Sequence, residues 1–87
     1  MTIKEAYEKV CKVADGFKIY NCKELSDCWL FGWCKMDNTA LPSPPLRVSK
    51  EKGEVTLHDE YGVSFLNGTC REMGVDIPIN NIVNGTA

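Results

Sequence analysis

The chain has 87 residues and a net charge of −2, with 44% hydrophobic and 25% charged side chains. That length fits one domain with one good hydrophobic layer, and the composition is that of a folded globular protein, not a disordered one. The near-neutral, slightly acidic balance provides no basic footprint for nucleic acid, and no apolar run approaches the length of a bilayer span.

Thr2-Ile3-Lys4-Glu5 has the form of a capping box, in which the threonine hydroxyl and the glutamate carboxylate each satisfy a backbone donor of the first turn. Ile3, Ala6, Tyr7, Val10, Cys11, Val13 and Ala14 then recur at the spacing of an amphipathic helix. Lys4, Glu5, Glu8, Lys9 and Lys12 take the wet side, with Glu5–Lys9 and Glu8–Lys12 in the favourable i, i+4 order. Gly16 stands where a left-handed C-terminal cap is wanted. This N-terminus has no signal-peptide core, so the expected location is the cytoplasm.

Phe17 to Glu24 alternates as a strand, with Phe17, Ile19 and Asn21 on one side and Lys18, Tyr20 and Cys22 on the other. Leu25-Ser26-Asp27 supplies a turn, and Cys28 to Lys35 follows as an aromatic-rich strand. The pair makes an antiparallel hairpin. Trp29, Phe31 and Trp33 form one face of the second strand; Cys28, Leu30, Gly32 and Cys34 form the other. The larger aromatic face is expected beneath the N-terminal helix, because each aromatic ring buries roughly 150–250 Å² and a small core needs that area. The opposite face is then partly exposed and mildly apolar.

Met36 to Pro45 is a proline-rich loop. Leu46 to Lys50 and Glu54 to His58 form a second hairpin around Glu51-Lys52-Gly53, with Gly53 at a position that favours positive φ. Leu46, Val48, Val55 and Leu57 are its expected inward residues. Val63 to Leu66 is apolar enough to dock as a helical turn or an edge segment. From Ile77 onward the sequence has no usable period. The expected organisation is therefore a compact α+β domain over residues 1–76 and a loosely ordered tail over 77–87. Its architecture is one N-terminal helix packed on an antiparallel sheet of about four strands.

Catalytic and metal chemistry find little support. The five cysteines, at 11, 22, 28, 34 and 70, lack the C-x2-4-C knuckles of a zinc site. Cys28 and Cys34 share a strand face, but six residues at strand rise separate them by roughly 20 Å. They are expected to be reduced thiols, packed as small hydrophobes. His58, the single histidine, is followed by Asp59 and Glu60, yet the sequence brings no cysteine to it and offers little cleft for a general acid–base pair. Gly53, Gly62, Gly68 and Gly74 are scattered singly, so there is no phosphate-cradling loop. The sequons at Asn67 and Asn84 carry no meaning without secretion. No catalytic, cofactor-binding or metal residues are assigned, and no cofactor is expected.

The order of features is similar to a known family. A helix beginning IKEAYEKV, a strand, a strand with Trp29 and Phe31, a proline loop and the hairpin LRVSKEKGEV, with Val48, Lys50, Gly53 and Val55, resemble the YrhB-like small immunity proteins of bacterial polymorphic toxin systems. The likeness spans residues 3 to 66 and gives Trp29, Phe31 and Gly53 core or turn roles. It implies a cytoplasmic, non-enzymatic protein that neutralises a cognate toxin by direct binding. A phage or mobile-element inhibitor of a host enzyme is the alternative, and a thiol enzyme using His58 a remote third. Leu30, Cys34, Tyr20 and Asp37 are the expected partner-binding residues. The partner is a protein, with neither nucleic acid nor membrane involved, and a second copy of the chain could also occupy that face.

Overall fold

The structure, a computed structural model, describes residues 1–41, 43–57 and 74–86. It is an α+β arrangement: helix α1 (Ile3–Val13), strands β1 (Phe17–Glu24), β2 (Cys28–Lys35), β3 (Leu46–Ser49), β4 (Val55–Leu57) and β5 (Val75–Asp76), and a short helix α2 (Ile79–Asn84). The five strands lie in the order β4-β3-β2-β1-β5, and every neighbouring pair is antiparallel. The expected sheet lacked β5, whose two residues are too few to leave a periodic signature.

The capping box forms as read. Thr2 Oγ1 accepts from Glu5 N at 3.2 Å, and Glu5 Oε1 accepts from Thr2 N at 2.9 Å. The Thr2 backbone N–H and then its hydroxyl hold the Glu5 carboxyl below its usual range. Ala6, Val10 and Ala14 are fully packed against the sheet. Val13, placed in the stripe by its spacing, is exposed instead. Gly16 takes φ +88°, which lets the chain reverse into β1.

β1 departs from simple alternation. Its register with β2 runs Ile19↔Trp33 and then Asn21↔Gly32, so one extra residue is accommodated at Tyr20. This is a β-bulge, and it inverts the phase of the strand beyond it. Ile19 and Cys22 consequently both face the core, although strict alternation assigns Cys22 to the opposite side. Asn21 Oδ1 accepts from Gly32 N at 2.8 Å across the bulge. A side chain at Gly32 would run into the Asn21 amide and the Tyr20 ring, so glycine is required by close approach.

The aromatic face of β2 lies under α1. Trp29 and Phe31 are buried in the same cluster as Ala6, Val10, Leu46 and Val48, and Trp33 packs at its margin. Tyr7 and Phe31 meet with ring centroids 6.3 Å apart at 48°, and Phe17 meets Trp33 edge-on at 5.1 Å. Lys50 Nζ sits 5.2 Å from the centre of the Trp29 ring while donating to Glu24 Oε2 at 2.8 Å. Among the described residues, the buried Trp29 indole N–H has no hydrogen-bond partner.

The second hairpin closes through Gly53 N donating to Ser49 O at 2.7 Å, with Gly53 at φ +69°. Lys9 Nζ donates to Gly53 O at 3.0 Å and ties this turn to α1. Leu46 and Val48 point inward and Val55 packs at the edge, but Leu57 is 53% exposed. β4 is one of the two edge strands of the sheet.

The C-terminal residues also differ from the expected loose tail. Gly74 adopts φ +78°, β5 pairs with β1 through Lys23↔Asp76 and Glu24↔Val75, and Ile77 N donates to Cys22 O at 2.9 Å. α2 then runs from Ile79 to Asn84, ends at Gly85 in the left-handed conformation, and buries Ile82 completely in the main core. Residues 77–86 thus belong to the domain. The expected docking of Val63 to Leu66 falls outside the described residues.

Two substitutions test this packing. Trp29→Ala should lower the unfolding free energy by about 3–5 kcal/mol, while Trp29→Phe should cost clearly less, because it keeps a ring in place and removes a buried indole donor that has no partner among the described residues. Urea unfolding of the two variants measures the difference, and equal losses would contradict the assignment. Gly32→Ala should destabilise by about 1–3 kcal/mol, and amide hydrogen exchange should show the loss centred on Tyr20 to Cys22.

Candidate functional site

The expected binding residues occupy the sheet face away from α1 and the loop that follows β2. Side chains at paired positions share a face, so the register lines up Asp76, Lys23, Leu30, Arg47 and Thr56 across all five strands. Leu30 is the apolar centre of that row and is half-buried, with Lys23 and Arg47 as its cross-strand neighbours. Long cationic side chains can lay their aliphatic stems along such a leucine while keeping their charges wet. Arg47 Nη2 also reaches Asp27 Oδ2 at 3.3 Å, an exposed pairing of small energetic weight.

Tyr20 is 55% exposed, with its ring over the backbone of Gly32. The bulge puts Tyr20 and Asn21 on the outer side together, so a large aromatic is displayed on a fixed piece of backbone. Cys34 behaves otherwise. It is only 6% exposed, so its side chain offers little surface for contact, and its backbone bridges to Ala40. The partly exposed Cys34 expected from strand alternation is corrected accordingly.

Asp37 lies in a tight turn. Asn38 N donates to Lys35 O at 2.9 Å, Lys35 N donates to Thr39 O at 3.0 Å, and Asn38 takes φ +70°. Asp37 Oδ1 accepts from Thr39 N at 3.0 Å. The Thr39 side chain and backbone together hold the Asp37 carboxyl below its ordinary range. Lys18 Nζ donates to Asn38 Oδ1 at 2.8 Å, which binds the turn to β1. Farther along the loop, Trp33 Nε1 donates to Pro44 O at 3.0 Å. The loop is thus fastened at both ends to the hairpin beneath it.

Sequence reasoning missed a second feature nearby. Between the C-terminal end of α1 and the start of β1 lies an open groove of about 370 Å³, bordered by Tyr7, Cys11, Asp15, Phe17, Lys18 and Met36. Phe17 is 39% exposed and Met36 69% exposed. Alternation places Phe17 on the side of Ile19 without marking it as exposed, and Met36 reads as the first residue of a loop. Both sit where an element ends, and a periodic pattern carries no information about that boundary. Phe17 and Met36 therefore display apolar surface on the α1 side of the β1–β2 hairpin, whereas Tyr20 displays its ring on the opposite face.

The thiols divide by environment. Cys22, Cys28 and Cys34 are buried, and Cys11 is half-buried in the groove. Burial, reinforced by the Glu24 charge, pushes the Cys22 thiol up to about 12. Burial likewise pushes Cys28 up to about 11, opposed by Arg47 and assisted by Asp27. Neither is a nucleophile near neutral pH. Among the described residues, no group of three or more His, Cys, Asp or Glu side chains is arranged to hold a metal ion. His58, Asp59, Glu60 and Cys70 fall outside the described residues. Among the described residues, no helix is long and apolar enough to cross a membrane.

The chain matches no protein-family model, and neither a curated protein nor a solved structure matches it.

The buried thiols have a pH consequence. In the unfolded chain Cys22 ionises near its ordinary value of 9.0, whereas the folded chain keeps it protonated to about 12. Above pH 9 the unfolded state therefore binds fewer protons, and stability falls as pH rises toward 12. Urea midpoints measured from pH 8 to 11 should decline, and Cys22→Val should flatten the decline. A variant with the same slope as the parent would contradict the assignment.

Proposed function

We propose that this protein is a binding module that neutralises a cognate toxin domain in the bacterial cytoplasm by occupying its surface, as an immunity protein of a polymorphic toxin system. The observation that carries the reading is the exposed Tyr20 ring on the sheet face away from α1, on backbone held by the Asn21–Gly32 hydrogen bond, with Met36 exposed in the turn that the Lys18–Asn38 hydrogen bond ties to β1. Exposed aromatic and thioether side chains on a rigid support are the side chains that anchor protein partners, at low entropic cost. The resemblance of the Trp29, Phe31 and Val48–Val55 segments to YrhB-like immunity proteins supports the same reading.

In this reading Tyr20 and Met36 are the anchors, Asp37 and Lys18 form the polar rim, and Leu30 contributes through the gap between Lys23 and Arg47. Inhibition is by occlusion, so it needs neither cofactor nor catalytic group. The charged residues on the rim set the approach and register of the partner more than its affinity.

Affinity capture from the source cell, followed by mass spectrometry, tests the proposal. Recovery of a toxin domain whose activity is blocked in a purified assay is the expected result. Recovery of a host enzyme inhibited by the chain would favour the mobile-element reading, and absence of any inhibited partner would overturn both. With the partner in hand, Tyr20→Asp and Met36→Asp should each weaken binding at least about tenfold, or about 1.4 kcal/mol, while the urea midpoint stays within error of the parent. Unchanged affinity in both variants would move the interface elsewhere.

A further inference from the structure

We draw no further inference here: the strongest candidate, the groove between the C-terminal end of α1 and the start of β1, bordered by Tyr7, Cys11, Phe17 and Met36, is an unpartnered apolar surface, and nothing in the structure shows what covers it.

Discussion

The hydrogen bond from Gly32 N to Asn21 Oδ1 holds together the one irregularity on which the sheet depends. The extra residue at Tyr20 moves Cys22 onto the side of Ile19, and both then reach the core. Without the bulge, the second half of β1 would turn its small apolar side chain outward and point Lys23 at α1. The Asn21 amide satisfies a backbone donor that the interrupted ladder would otherwise leave without a partner. Gly32 is the complementary concession on β2, since a Cβ there would displace both the amide and the Tyr20 ring. A local defect in pairing thereby corrects the hydrophobic phase of a whole strand.

The same device joins fold to surface. A bulge that turns Ile19 and Cys22 inward must place Tyr20 and Asn21 together on the outer side. Tyr20 is therefore exposed as a geometric consequence of filling the core. Burial beneath α1 fixes the other strand, where Trp29 and Phe31 pack against Ala6 and Val10. The core is closed on a further side by Ile82 of α2, so the two ends of the described chain contribute to one hydrophobic cluster. In a domain of this size each such contact is a large fraction of the total stability.

Much of this architecture is legible in the residues. Thr2 and Glu5 mark the start of α1, its stripe identifies Ala6 and Val10 as inward, and the alternation of Trp29, Phe31 and Trp33 identifies the face that the helix covers. Gly53 marks its turn because few other residues tolerate that backbone conformation. The bulge is not legible, because Asn21 supports alternation as well as interruption, and the deciding hydrogen bond is to a residue eleven positions away. β5 and α2 escape notice for a different reason: two strand residues and one buried isoleucine in six helical residues establish no period. At the candidate site, Tyr20 and Asp37 are displayed as alternation and loop position suggest. Cys34 is buried instead, and Phe17 and Met36 are exposed at the ends of their elements, where a periodic pattern carries no information.

The pairing of β5 with β1 also carries a kinetic meaning. The β1–β2 and β3–β4 hairpins join residues close in sequence, whereas β5 and Ile82 reach partners more than fifty positions earlier. Closing a loop of that length costs more chain entropy than closing a hairpin. The hairpins and α1 can therefore assemble while the free edge of β1 is still open, with Cys22 O waiting for Ile77 N. An open strand edge beside an incomplete core is a template for pairing with another chain. The short C-terminal elements act as an edge guard over the end of β1 at Lys23 and Glu24.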